Sequence, residues 1–194
     1  AENAGKKIAV VGAGPAGLSC AYFLARLGYK PTILEKEPAP GGMLVQAIPA
    51  YRLPRTELER EVKMIADMGV RFEYGKALGR DFTLQSLKDE GYEAVFVAVG
   101  APQGTGIGVP GEDGPGVYDG LSFLKEYNIH GKGEVGKNVV VIGGGNAAID
   151  AARTALRLGA ESVKILYRRT RAQMPAWGDE IDAADLEGID IMTL

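Results

Sequence analysis

The sequence is poor in the residues from which self-contained redox and metal centres are built. Its 194 residues include one cysteine, Cys20, and one histidine, His130. A single thiol cannot close an internal disulfide, form a CxxC pair or ligate a cluster, so any dithiol chemistry or iron–sulfur cluster is expected on another chain. Cys20 stands beside Ala21 and Phe23 in an apolar helical run, where a small packing residue is a simpler reading than a nucleophile. His130, in YNIHGKG, reads as an exposed loop residue. No Ser/His/Asp set, zinc-ligand spacing or carboxylate pair is recognisable, so neither catalytic side chains nor metal ligands are expected. There is no excess of positive charge either: 22 Lys and Arg against 25 Asp and Glu leave a formal net charge of -3, which argues against a nucleic-acid surface. No apolar run approaches the roughly 18 residues of a membrane span. The opening AENAGKK lacks the apolar core of a signal peptide. A small-molecule ligand and a cytoplasmic location are the expectations that remain.

What the chain has in quantity is glycine, 28 residues of it, arranged in an internal repeat. IAVVGAGPAGLSCAYFLARLGYKPTILEKE, from Ile8, matches VVVIGGGNAAIDAARTALRLGAESVKILYRR, from Val139. Gly12 aligns on Gly143, and Leu27-Gly28 on Leu158-Gly159. Each copy opens on a β-branched run, Ile8 to Val11 and Val139 to Ile142, that reads as a buried parallel strand. A glycine loop follows, then a helix. In the second copy Ala148, Ala152, Ala155 and Leu156 recur at the spacing of one helical face. Gly28 and Gly159 end the helices, and PTILE and VKILY supply the next strands.

This pattern has a mechanical reading. Gly12 makes a tight turn, Gly14 lets a diphosphate approach the backbone, and Gly17 lets helix and strand pack closely, while the helix N-terminus offers unpaired N–H groups to the phosphates. Gly143, Gly145 and Ala148 take the same roles in the second copy. The tip of the next strand selects the nucleotide. Glu35, roughly 20 residues after Gly12, can accept hydrogen bonds from ribose hydroxyls and repels a 2′-phosphate. The aligned Tyr167 is followed by Arg168 and Arg169, whose guanidinium forks suit a phosphate dianion. The first site is thus expected to take an unphosphorylated adenosine and the second NADP(H).

Between the copies, Gly41-Gly42 permits a close approach of backbone to ligand. Thr56 to Glu59 reads as a capping box opening an amphipathic helix with Leu58, Val62 and Ile65 on one face. VRFEYGK and EAVFVAVGA read as further strands, the latter apolar enough to lie in mid-sheet. Residues 101 to 116 hold six Gly and three Pro, a composition expected of a crossing between domains.

VVGAGPAGLSCAYFLARLGYKPTILEKEPAPGGML, IPAYRLPR, AVFVAVGA, VVVIGGGNAAIDAARTALRLGA and YRRTRAQMPA together resemble the small, β-type subunit of NADPH-dependent glutamate synthase. They are equally similar to the corresponding module of dihydropyrimidine dehydrogenase and of electron-bifurcating transhydrogenases. The resemblance runs from about Lys6 to the last residue. It implies an α/β flavoprotein with two Rossmann-like dinucleotide-binding domains of the pyridine-nucleotide-disulfide-reductase kind: residues 1–108 for FAD, and 109–194 for NADPH, the second incomplete and ending at its third strand.

By that resemblance Gly12, Gly14, Pro15, Ala16, Gly17, Glu35 and Lys36 hold the FAD diphosphate and ribose. Gly42, Met43, Leu44 and Arg52 lie along the flavin, the alternative for Arg52 being a surface residue at the mouth of a Pro-rich turn. Leu78 touches the adenine through its backbone, and Val99, Gly100 and Ala101 pass beside the FAD. Gly143, Gly145, Asn146 and Ala147 hold the NADPH diphosphate, with Arg168 and Arg169 on its 2′-phosphate. Hydride then passes from NADPH to FAD, and the electrons go on to an iron–sulfur protein or a larger catalytic subunit.

Members of this family resume the FAD domain after the NADPH domain and often carry a cysteine-rich domain before the first strand. The chain is therefore expected to be a fragment or one half of a split protein that needs a missing C-terminal segment or a partner. Two alternatives stay open on the residues: a non-catalytic nucleotide-binding or assembly module, and an independent flavin enzyme such as a disulfide reductase, against which the absent cysteine pair weighs, or a monooxygenase, whose His-containing signature is not seen between the copies.

Overall fold

The computed structural model describes residue 3 and residues 5–194; residues 1, 2 and 4, part of the opening stretch read above for a signal core, lie outside the described residues. The chain divides into two compact units, Ala1–Val45 with Ala50–Ala101, and Gln46–Pro49 with Pro102–Leu194.

The first unit contains strands Ile8–Val11 (β1), Thr32–Glu35 (β2), Arg71–Tyr74 (β3) and Ala94–Val97 (β4), all parallel, in the order β3-β2-β1-β4. Helices Pro15–Arg26 (α1), Arg55–Asp67 (α3) and Leu84–Asp89 (α4) connect them, with a single short turn of helix at Met43–Gln46 (α2). Successive side chains of a strand point to opposite faces. Val10 and Ile33 therefore pack under α1 and α3 with Leu18, Ala21 and Ile65. Ala9, Val11 and Leu34 face the other way and pack with Leu87 of α4. β1 is covered on both faces and buried along its whole length, which is what its unbroken apolar run requires.

The second unit holds Asn138–Ile142 (β5), Ser162–Tyr167 (β6) and Asp190–Thr193 (β7), parallel in the order β5-β6-β7. Helices Gly120–His130 (α5), Asn146–Arg157 (α6) and Gly178–Leu186 (α7) accompany them. The core gathers Ile149, Ala152 and Ala155 of α6, Val163 and Ile165 of β6, and Ile181 and Ala184 of α7. Seven consecutive residues of α6, Ile149 to Ala155, are buried, because α6 packs against the sheet and against both α5 and α7. Gly28 and Gly159 follow α1 and α6 in left-handed conformations, with φ of 87° and 100°, as helix-ending glycines do.

Several local expectations need correcting. EAVFVAVGA forms β4, which lies at an edge of its sheet and not in the middle, leaving Phe96 and Val97 exposed. An apolar composition reports a need for cover, not a place in the strand order. β5 is likewise an edge strand with alternating exposure instead of a buried one: Val140 and Ile142 are 56% and 62% exposed, on the sheet face away from α6. The Thr56–Glu59 capping box does not form, since α3 starts at Arg55 behind Pro54, whose φ of -55° already suits a helix start, and Thr56 sits inside the first turn. The face bearing Leu58, Val62 and Ile65 is nonetheless the inward one. His130 is exposed but ends α5, with Gly131 as its left-handed cap. Cys20 is half-buried against the core of the first unit, and burial pushes its thiol up, the opposite of what a nucleophile needs.

Candidate functional site

The first glycine loop, residues 12–14, joins β1 to α1 at the C-terminal ends of the strands, where open parallel sheets bind ligands. Its tightness is a matter of space. A Cβ on Gly17 would overlap the carbonyl of Gly12, and one on Gly12, where φ is +105°, would overlap the carbonyl of Ala98. Gly14 differs: nothing lies within 4 Å of the place its Cβ would take. The loop is thus clamped below and open above, a cradle that fits a diphosphate at the N-terminus of α1. Glu35 closes it from the side. The buried carboxylate accepts Ala13 N–H at 2.6 Å and Glu37 N–H at 2.9 Å, one on each oxygen. A carboxylate has about four acceptor positions, so capacity for ribose hydroxyls remains. Burial, and then the Glu35 charge, push the Tyr74 phenol up.

The second loop, residues 143–145, repeats the backbone. Gly12 N–H donates to Leu34 C=O at 2.8 Å, and Gly143 N–H donates to Leu166 C=O at 3.0 Å. The strand registers agree as well, Val11 pairing with Leu34 and Ile142 with Leu166. The next residue along is Glu35 in one copy and Tyr167 in the other, so the two occupy equivalent places. Tyr167 closes its loop without charge. A Cβ on Gly144 would lie 2.5–2.9 Å from three carbons of the Tyr167 ring, and the hydroxyl donates to the Gln173 carbonyl at 2.8 Å. Arg168 and Arg169 follow, both exposed, and neither side chain makes a hydrogen bond or ion pair among the described residues. Arg171, the third arginine of the run, is taken up by Asp185 and Asp182 of α7, which hold its guanidinium above its ordinary range.

A family profile described as pyridine nucleotide-disulphide oxidoreductase matches residues 6–193. The chain belongs to this family. Among its relatives, the NADP(+)-dependent formate dehydrogenase subunit beta of Moorella thermoacetica is 47% identical over 97% of the chain and 27% of the relative. The glutamate synthase [NADPH] small chain of Halomonas elongata is 42% identical over 96% of the chain and 42% of the relative. The FprA oxidoreductase of Mycobacterium tuberculosis, solved in complex with NADPH, superposes with a TM-score of 0.83 at 26% identity, over 95% of the chain and 48% of FprA. The chain thus spans between about a quarter and a half of the length of these proteins.

The remaining candidate residues fall as follows. Pro15 and Ala16 open α1, and Lys36 stands exposed just beyond β2. Gly42, with φ of +53°, brings its backbone onto the first loop, a Cβ there lying 2.9 Å from Gly14 Cα. Met43 and Leu44 begin α2, half-buried, and Arg52 is half-buried too. Leu78 forms an isolated bridge with Phe82 between β3 and α4. Val99, Gly100 and Ala101 are exposed just past β4, where the chain runs beside Gly12. Gly145 caps α6, whose first residues are Asn146 and Ala147. Asn146 Oδ1 accepts Trp177 N–H at 2.9 Å.

Three features escaped the sequence reading. Arg55 donates to the carbonyls of Leu44 and Val45 at 2.7 and 3.0 Å, fixing α2, and burial lowers its guanidinium. Residues 176 and 177 strap the second loop, with Ala176 N–H donating to Gly144 C=O at 3.1 Å beside the Asn146 contact. Arg153 and Arg157 of α6 converge on Glu187, whose carboxyl falls to about 2 mainly through Arg157, while Arg153 also pairs with Glu180 of α7. None of these three left a trace in the sequence pattern.

Proposed function

We propose that the protein is an electron-input flavoprotein module that takes hydride from NADPH onto FAD and passes electrons onward to iron–sulfur clusters or a partner subunit, in the manner of glutamate synthase small subunits. The observation that carries this reading is the contrast between two loops of one backbone plan: one closed by a buried carboxylate, the other by a neutral ring followed by two guanidiniums that are unpaired among the described residues. In this reading residues 1–108 form a Rossmann-like FAD-binding domain and residues 109–194 an NADPH-binding one. The dinucleotides supply the redox chemistry, hydride transfer between nicotinamide and flavin.

The chain's own residues bind and orient. N–H groups at the start of α1, with Gly12, Gly14, Pro15, Ala16 and Gly17, receive the FAD diphosphate, and Glu35 and Lys36 the ribose. Gly42, Met43, Leu44 and Arg52 border the flavin; Leu78 and Val99 to Ala101 flank the remainder. Gly143, Gly145, Asn146 and Ala147 receive the NADPH diphosphate, and Arg168 and Arg169 its 2′-phosphate. A carboxylate in the position of Tyr167 would oppose that phosphate, and a neutral ring does not. Support comes from relatives named for NADPH or NADP(+), and from a similar fold solved with NADPH. An iron–sulfur partner and a larger subunit belong to the same proposal, as does a cytoplasmic setting; among the described residues no helix is long and apolar enough to cross a membrane.

The test is a visible spectrum of the full-length protein followed by anaerobic titration with NADPH and with NADH. Flavin absorbance bleached by NADPH is the expected result. Bleaching by NADH alone overturns the nucleotide assignment, and a flavin-free protein that oxidises neither favours a non-catalytic assembly module.

A further inference from the structure

We infer that Tyr167 and Gly144 together form the positioning device that makes the second loop selective for a 2′-phosphorylated nucleotide; this rests on the NADPH reading above and adds to it residues outside the expected phosphate-binding set. Two unpaired arginines on a loose loop pay an ordering cost each time they grip a phosphate, and that cost is subtracted from affinity. Residues 167–173 do not form a loose loop. The Tyr167 hydroxyl donates to Gln173 C=O at 2.8 Å, Gln173 N–H donates to Thr170 C=O at 2.9 Å, and Thr170 N–H reaches Gln173 Oε1 at 3.3 Å. Arg168 and Arg169 are carried inside this closed turn.

The turn is in turn registered on the diphosphate loop. The Tyr167 ring lies over Gly144 so closely that a Cβ there would come within 2.5–2.9 Å of Cδ2, Cε2 and Cγ. The Gly144 carbonyl accepts Ala176 N–H at 3.1 Å, which brings the far end of the same segment back to the same residue. In the first copy the position of Gly144 is Ala13, and its neighbour is the Glu35 carboxylate, which accepts the Ala13 N–H. The pairs Ala13 with Glu35 and Gly144 with Tyr167 are therefore alternatives. A ring in place of the carboxylate requires the methyl to be absent, and the ring in turn sets the arginine-bearing turn at a constant distance from the loop that takes the diphosphate. Tyr167 is thus a positioning residue that acts through Arg168 and Arg169.

The probes are 2′,5′-ADP and 5′-AMP, which differ by the 2′-phosphate alone, titrated calorimetrically into the full-length protein so that flavin content and turnover do not enter. Tyr167→Phe keeps the ring and removes one hydrogen bond. It is expected to weaken 2′,5′-ADP about three- to tenfold while 5′-AMP stays within about twofold. Gly144→Ala displaces the ring and is expected to lower the ratio of the two affinities by about tenfold or more. Adding Tyr167→Ala to Gly144→Ala is expected to cost no more than Tyr167→Ala alone, because the two act through one contact. Equal losses for both probes, or an unchanged ratio in Tyr167→Phe, overturn the inference; should circular dichroism show Gly144→Ala unfolded, Tyr167→Phe decides by itself. If the unsubstituted protein already fails to prefer 2′,5′-ADP, the NADPH reading falls and this inference with it, an outcome visible before any substitution is made.

Discussion

The two glycine loops agree in strand register and in the hydrogen bond that starts each turn, yet they are closed by opposite chemistry. In the first, a buried carboxylate collects two backbone N–H groups, and Gly17 packs so tightly under the loop that its missing Cβ is obligatory. In the second, a tyrosine ring covers Gly144, and the helix position equivalent to Gly17 carries Ala148, whose Cβ the loop accommodates because residue 143 has none: one built there would lie a tight 3.2 Å away. The lesson is that one loop backbone is built twice, and the last residue of the neighbouring strand sets the chemistry that closes each copy. The first loop is rigid by steric exclusion; the second is held by contacts that individual substitutions can loosen.

The harshest way to break this comparison is Gly17→Ala. The methyl has nowhere to go but into the Gly12 carbonyl, so a loss of about 3 kcal/mol or more in chemical denaturation and loss of bound flavin are expected. Its counterpart in the second copy, Ala148→Gly, costs only about 1 kcal/mol in helix propensity and leaves nucleotide binding in place. Equal costs for the two changes would erase the steric distinction between the loops.

Next in size, Arg168→Ala and Arg169→Ala are each expected to lower NADPH affinity about 10- to 100-fold, with NADH little affected, the range of a hydrogen bond to a charged group. Arg171→Ala, whose guanidinium is engaged by Asp182 and Asp185, is expected to leave the NADPH-to-NADH ratio unchanged. Titration of all three variants separates phosphate contacts from the structural ion pair.

Glu35→Gln sharpens the first half of the contrast. One of its two acceptors becomes an NH2 facing a backbone donor, which costs about 1–3 kcal/mol by urea unfolding. The smallest effect is confined to the second unit. Glu187 titrates near about 2 when folded against 4.5 otherwise. A depressed carboxyl contributes stability above its unfolded pKa and loses it as pH falls through the folded one. Thermal stability of the second unit is therefore expected to decline between pH 4.5 and about 2, and Arg157→Ala to flatten that decline; an unchanged slope counts against the Arg153–Arg157–Glu187 cluster as its source.

Much of this was readable in advance because it is local. Strand, glycine loop, helix and terminating glycine follow from residues within a few positions of one another, and the repeat confirmed the pattern by occurring twice. Helix faces such as Leu58, Val62 and Ile65 needed only the 3.6-residue period. The capping expectation at Thr56 failed through a competing local rule, Pro54 setting the helix start. The edge positions of β4 and β5 failed for another reason: strand order depends on which distant segments pair, and hydropathy is silent about that.

By itself, then, the sequence determined the parallel α/β plan, the two glycine loops and the difference between an acid and a Tyr-Arg-Arg at the strand tips, since each rests on short-range sterics and charge. Only the tertiary structure decided that Glu35 spends part of its carboxylate on Ala13 N–H, that Tyr167 rests on Gly144, and that of three neighbouring arginines Arg171 is consumed by α7 while the side chains of Arg168 and Arg169 stay unpaired among the described residues. Those are contacts between residues brought together by packing, and through-space distance is a quantity that the order of residues along a chain does not contain.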